Sequence, residues 1–244
     1  MGQLIAVLSG KGGTGKTSVC AGIATALAKE GLKILCIDCD VGLRNLDIPL
    51  GLSDTASLSF LEICRGDHSL SQLLPHPTFP TLFFLTAPMN RSAEDIDPES
   101  FYAMLKNARE RFDYVFLDAP AGVDAGFRLA AKKADQVLLV TGPDPAAVRD
   151  AGRTGQILEL MGKENVRLIV NRVAPKLVST MERTVDDVMD DAGLPLIGVV
   201  PEDPNVTLAA AFGKPLLSYT KKGATAACQR IACRLYGLPV RIDL

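Results

Sequence analysis

The stretch LSGKGGTGKTS, residues 8–18, holds four glycines and two lysines directly after a short apolar run. From Gly10 to Thr17 it follows the spacing G-x-x-x-x-G-K-[ST], which serves the binding of a polyphosphate. Glycines let the backbone close around a β-phosphate, so that its N–H groups and the positive end of a following helix face the negative charge. Gly10, Gly12, Gly13, Thr14 and Gly15 form that loop. Lys16 is placed to reach the β- and γ-phosphates, and Thr17 offers its hydroxyl to Mg²⁺. A glycine-rich turn that merely precedes a helix would leave so full a pattern unexplained. Lys11 is left over, with no evident place at the phosphates that Lys16 serves.

Two further stretches carry acids where such a site needs them. In CIDCDVGLRNLD, Asp38 and Asp40 close an apolar run, two apart and so on one strand face. A carboxylate there can orient water or a hydrated Mg²⁺. Asp38 is read as a metal-side acid and Asp40 as the residue that positions the attacking water. In DYVFLDAPAGVD, four apolar or aromatic residues lead to Asp118, the Walker B arrangement in which a strand-end acid completes the magnesium shell. A strand that ends in Asp is usually structural, and it is the loop at 10–17 that makes Asp118 functional. Gly122 follows with the backbone freedom of a switch that senses a γ-phosphate.

The elements that must hold these residues are legible as short aliphatic runs at 4–8, 33–38, 81–86, 114–119, 136–141, 166–171 and 195–200. Each reads as a buried strand. Helical spacing joins Val19, Ile23 and Leu27, with Gly31 as the stop, and helices also fit 99–111, 145–161 and 180–192. Alternating strands and helices predict an α/β fold: a doubly wound, mostly parallel sheet of seven to eight strands, with helices on both faces and ligands at the strands' carboxyl ends. No repeat or linker divides the chain, so residues 1–244 are expected to form one domain.

Composition narrows the function. With 26 basic and 28 acidic residues the net charge is -2, which gives no bulk attraction to nucleic acid or to an anionic membrane. Neither a signal peptide nor a membrane span can be completed in the sequence, and a cytoplasmic chain is expected. The six cysteines then read as reduced thiols. Cys36 and Cys39 would point to opposite faces of a strand and could not grip one metal. Ala224, Cys228, Ile231 and Leu235 form a helical stripe expected to pack on the domain. Beyond it, Leu238, Val240, Ile242 and Leu244 alternate with period two, and Arg241 is offset by Asp243, so the tail forms no basic amphipathic helix.

Lys11 brings in a resemblance. KGGTGKT, residues 11–17, resembles the deviant Walker A motif K-G-G-x-G-K-[ST] of the MinD/ParA family of dimerising P-loop ATPases, in which this lysine crosses the dimer interface to the partner's nucleotide. GLRNLD (42–47), DAPAG (118–122), VNRVAPKLV (170–178), TVDDV (184–188) and IGVVPEDPNV (197–206) match in order, and they resemble the division-site branch more than the plasmid-partition or flagellar-number branches. The resemblance implies ATP and Mg²⁺ as cofactors and Lys11, Lys16 and Asp40 as the catalytic set. It also implies that Asn171 contacts the adenine, with Pro201, Glu202 and Asp203 bordering it. The implied partners are a second copy of the chain, a division inhibitor and an ATPase-stimulating protein, with no nucleic acid. Two departures stand out: Ser18, among the residues the resemblance implies at the nucleotide, lies where relatives usually carry threonine but still offers a hydroxyl and an N–H, and the tail lacks their basic membrane-inserting helix. Membrane association is therefore expected only through a partner or a missing tail. The competing readings are another positioning ATPase and a nucleotide module with negligible turnover. An electron-transfer ATPase would need cluster cysteines, and none occurs between Cys64 and Cys228.

Overall fold

The computed structural model describes residues 1–89, 91–174 and 185–242. Its strands are β1 (Gln3–Leu8), β2 (Ile34–Asp38), β3 (Leu82–Leu85), β4 (Tyr114–Asp118), β5 (Gln136–Thr141), β6 (Val166–Val173) and β7 (Leu196–Pro201). They pair in the order β3-β2-β4-β1-β5-β6-β7. Every pairing between these seven strands is parallel, and one isolated antiparallel bridge joins Pro75 to Phe83 of β3. The chain passes from β1 to β2 on one side and from β4 to β5 on the other, and this reversal opens a crevice beyond the end of β1.

The helices are α1 (Lys16–Lys29), α2 (Asp47–Leu50), α3 (Phe60–Arg65), α4 (Pro98–Arg109), α5 (Ala125–Lys132), α6 (Pro145–Leu160), α7 (Val185–Ala192), α8 (Pro204–Ala211), α9 (Leu216–Tyr219) and α10 (Ala224–Leu235). Asp97 and Asp144 set the starts of α4 and α6, each accepting a backbone N–H of the first turn, with proline next in the chain. The expected helix at 180–192 is described from Val185 on; residues 180–184, with Lys176, Leu177 and Val178 of the matched motif, lie outside the described residues.

Side-chain alternation splits the core into two layers. Leu4, Ala6 and Leu8 of β1 face the layer of α4, α5, α6 and α7, while Ile5 and Val7 face that of α1 and α10. Cys36 and Cys39 fall in different layers, as their spacing required, and burial pushes both thiols up. The stripe on α10 packs on the domain: Ala224, Cys228 and Ile231 are buried and Leu235 packs beside them. A Cβ on Gly22 would lie 2.6 Å from Cys228 Sγ, so α1 and α10 approach as closely as they do because residue 22 has no side chain. The Arg234 guanidinium donates to the Ile197 carbonyl at 2.8 Å and to those of Val240 and Arg241, tying the tail to β7. Asp243 and Leu244 of the alternating tail lie outside the described residues.

His76 pins α2 to the sheet edge. Its Nδ1 accepts the N–H groups of Thr78 at 3.0 Å and Phe79 at 3.2 Å, so the ring is neutral and its Nε2–H donates to the Leu50 carbonyl at 2.7 Å. Burial holds its pKa below the usual histidine value. Its contribution to stability is complete above the unfolded value, near about 6.5, and is lost as pH falls through the folded one. Lowering the pH from about 7 to about 5 is expected to cost the wild type more than His76→Asn, whose amide oxygen keeps accepting at acid pH. Urea midpoints at the two pH values test this; equal losses would show that the ring does not titrate in this range.

Candidate functional site

The loop between β1 and α1 lies at the crevice. Gly15 caps α1 with φ at 82°, no side chain caps the helix, and its first turn holds no acid, so the N–H groups there face outward unopposed. A Cβ on Gly10 would strike Thr154 and lie 2.9 Å from the Asp150 carbonyl, and one on Gly15 would strike Asn171. Gly10 and Gly15 are thus fixed by neighbours, and Gly15 by turn geometry as well. Asn171, at the end of β6, donates from Nδ2 to the Thr14 carbonyl at 2.7 Å and holds the loop from the far side.

Lys16 Nζ lies 2.7 Å from Asp118 Oδ1 and 3.4 Å from Thr17 Oγ1. Both members of the ion pair are buried, with 7% and 1% of their side chains exposed. Burial raises the Asp118 pKa and the Lys16 charge draws it back down. Asp118 stands opposite Val7 of β1 and Asp38 of β2.

Asp38 is otherwise engaged. Its Oδ1 accepts the Asp40 N–H at 2.9 Å and its Oδ2 accepts those of Asn45 and Leu46, each at 3.0 Å. Desolvation, with Asp118 adding to it, lifts its pKa to about 6 against the pull of those N–H groups. It organises the 40–46 loop, and this weighs against its expected place in the metal shell. β2 ends at Asp38, so Asp40 is placed by a turn and not by strand alternation. Asp40 is half-buried, with a pKa raised by desolvation and drawn back by Lys16, which places it within electrostatic reach of that ammonium. Gly122, at φ 93°, donates its N–H to the Ser9 carbonyl at 3.1 Å, joining the loop after β4 to the end of β1. Lys11 is exposed and enters no ion pair among the described residues.

A second cleft opens on the other side of Gly15. Ser18, Asn171, Pro201, Glu202 and Asp203 line it together, so residues that only the resemblance had joined share one wall. Asp203 Oδ1 accepts the Asn205 N–H at 2.9 Å and its Oδ2 accepts the Ala224 N–H at 3.0 Å. One carboxylate thus caps α8 and α10, and it borders the cleft as a structural piece. Arg172 also lines the cleft and was missed by sequence reasoning. It sits in a bulge between Val170 and Val173 at φ 59°, with its Nε 4.0 Å from Glu202 Oε2, and nothing in the sequence marks that bulge.

The arrangement fits a nucleotide and a magnesium ion. Unopposed helix N–H groups and Lys16 suit phosphate, while Thr17 and Asp118 converge on one point beside it. No cluster of three His, Cys, Asp or Glu suited to a metal occurs among the described residues, so a cation here would draw on a hydroxyl, an acid, phosphate and water, the donors that suit Mg²⁺. The parallel sheet and this loop define a P-loop nucleotide-binding protein. The chain belongs to the CobQ/CobB/MinD/ParA nucleotide-binding domain family, whose pattern matches residues 5–216. It is 38% identical over 240 residues to the septum site-determining protein MinD of Synechocystis, covering 97% of this chain and 90% of that one. With MinD of Bacillus subtilis it shares 34% over 252 residues, covering 100% and 92%. Among solved structures it superposes on the Aquifex aeolicus MinC:MinD cell division protein complex with a TM-score of 0.91 at 34% identity, covering 99% of this chain and 98% of that one. The Pyrococcus horikoshii MinD complexed with Mg-ADP gives 0.84 at 27%, with 96% of each chain covered.

Proposed function

We propose that this chain, a single domain over residues 1–244, is an ATP-dependent dimerising ATPase of the MinD kind that helps place the division site by recruiting a division inhibitor. The observation that carries the reading is the convergence of Lys16, Thr17 and Asp118 at the uncapped end of α1, with Asp40 in reach and Lys11 left exposed. The relatives' names supply the biology: septum site-determining proteins, one solved with Mg-ADP and one with MinC.

In this reading Lys16 and the loop N–H groups bind the phosphates, and Thr17 and Asp118 hold Mg²⁺, which neutralises phosphate charge when bound. Asp38 keeps the 40–46 loop in place, Asp40 orients the attacking water, and Lys11 reaches the nucleotide of a second copy. Asn171, Pro201 and Glu202 border the base. No helix among the described residues is long and apolar enough to cross a membrane, and the apolar stripe of α10 is spent on the core, so we assign any membrane attachment to something other than α10.

Asp40→Ala is expected to bind ATP and form the dimer yet hydrolyse roughly 100-fold more slowly, trapping the dimer. Size-exclusion chromatography with ATP, ADP and no nucleotide, beside phosphate release, tests both halves. Wild-type turnover in the variant would move the water-orienting role elsewhere. A wild type that binds ATP with neither dimer nor turnover would favour the plain nucleotide module.

A further inference from the structure

Residues 204–242 contain six lysines and arginines and no acid, although the whole chain carries a net charge of -2. The bulk figure hides a local basic surface, and such asymmetry marks contact with a polyanion. Lys214 follows α8, and Lys221 and Lys222 follow α9. All three are exposed, and none enters an ion pair among the described residues. Asp203, the last acid before them, has both oxygens committed to N–H groups. Apolar groups stand among these lysines. α8 stops at Phe212, where Gly213 takes a φ of 60°, and the phenyl ring is carried out to 63% exposure. It stacks on Tyr219 of α9, with centroids 5.9 Å apart and planes 18° from parallel, which holds it in place. Leu208, one turn earlier, is 43% exposed. α2 comes up beside them: a Cβ on Gly51 would lie 2.7 Å from the Gly213 carbonyl, and Ile48 on α2 is 41% exposed. Lysines alone suit any polyanion. Exposed apolar side chains among them suit a surface that is charged outside and apolar beneath, which describes an anionic bilayer.

We propose that the segment of α8 and α9 is a lipid-contacting face of the folded domain. Leu208 and Phe212 enter the headgroup region of an anionic bilayer, while Lys214, Lys221 and Lys222 meet the lipid phosphates. This face is separate from the stripe of α10, which is spent on the core, and it requires no amphipathic helix in the tail. Each lysine is worth about fivefold in binding at such a surface, so the three together set a factor of about 100. No residue of the phosphate loop takes part, and the inference therefore stands apart from the nucleotide-binding reading.

Flotation of the full chain tests it, with vesicles of phosphatidylglycerol and phosphatidylcholine in equal parts and with vesicles of phosphatidylcholine alone. The wild type is expected to float with the first and not the second, and to be released at about 0.5 M salt, where charges are screened over a few ångströms. Lys214→Gln/Lys221→Gln/Lys222→Gln is expected to bind the anionic vesicles about 100-fold more weakly. Phe212→Ser is expected to lose about 10-fold. Lys106→Gln/Lys132→Gln, which removes exposed lysines from α4 and α5, is expected to float as the wild type does. The chain has no tryptophan, so the emission of Phe212→Trp reports this one position and is expected to shift to the blue on anionic vesicles. Thermal melts confirm that each variant is folded. A triple lysine variant that floats like the wild type would overturn the proposal, as would an emission that vesicle binding leaves unmoved. A wild type that ignores the anionic vesicles would also overturn it: retention of a short DNA duplex would then give the lysines to nucleic acid, and failure to retain one would leave the face to a protein partner.

Discussion

Lys16→Ala is expected to lose nucleotide binding altogether and to unfold more easily as well. Binding fails because the loop N–H groups offset only part of the phosphate charge, and the one ammonium positioned at the loop's base is gone. Stability falls for a separate reason. Asp118 is 1% exposed and loses its only ion-pair partner among the described residues, the situation in which breaking a buried pair costs roughly 3 to 5 kcal/mol. The two losses separate in the double variant Lys16→Ala/Asp118→Ala, which is expected to recover stability without recovering affinity. Calorimetry with ATP and urea titration of the same samples give both readings. Measurable ATP affinity in Lys16→Ala would contradict the assignment of the loop, and an unchanged urea midpoint would contradict the importance of the ion pair.

Lys11→Ala is expected to do the reverse. The side chain is exposed and bonds to nothing among the described ion pairs, so the monomer should fold and bind ATP as before. What disappears is the contact made in a dimer. A cation supplied in trans to a phosphoryl transition state is worth roughly 10³ to 10⁵ in rate, and turnover should fall by at least the lower figure. Light scattering in ATP and phosphate release read the two losses. A variant that dimerises normally would show that Lys11 is an ordinary surface lysine.

How much of this was open to reading in the sequence depends on how local the cause was. The phosphate loop declares itself because its glycines, lysine and hydroxyl are adjacent in the chain and a strand and a helix flank them. Asp118 is readable because its strand is short and wholly apolar before it. Asp40 was placed on one strand face with Asp38 by a faulty step, since β2 ends at Asp38 and a turn carries the chain onward to where Asp40 feels the Lys16 charge. That Asp38 spends both oxygens on N–H groups up to eight residues away could not be inferred from spacing. The second cleft is the extreme case. Asn171 reaches the Thr14 carbonyl across 157 residues, a bond that neither spacing nor the resemblance, which implied only an adenine contact for Asn171, could suggest. Short α2 and α9, each four residues, lack the length to show a period at all.

The double cap made by Asp203 has a consequence for how this protein can change. Oδ1 fixes the start of α8, Oδ2 fixes the start of α10, and the chain between them leaves and returns at one carboxylate. Gly223, where any Cβ would strike that carboxylate, keeps the point of return. The segment therefore behaves as a cassette clipped in at both ends. Of the eight residues in α8 only Ala209 is buried, while Leu208, Ala211 and the following Phe212 look outward, away from the residues that line the cleft. Descendants of this sequence can rewrite that outer face one residue at a time, acquiring or losing a specificity there, while the cleft at the base of the cassette keeps its shape.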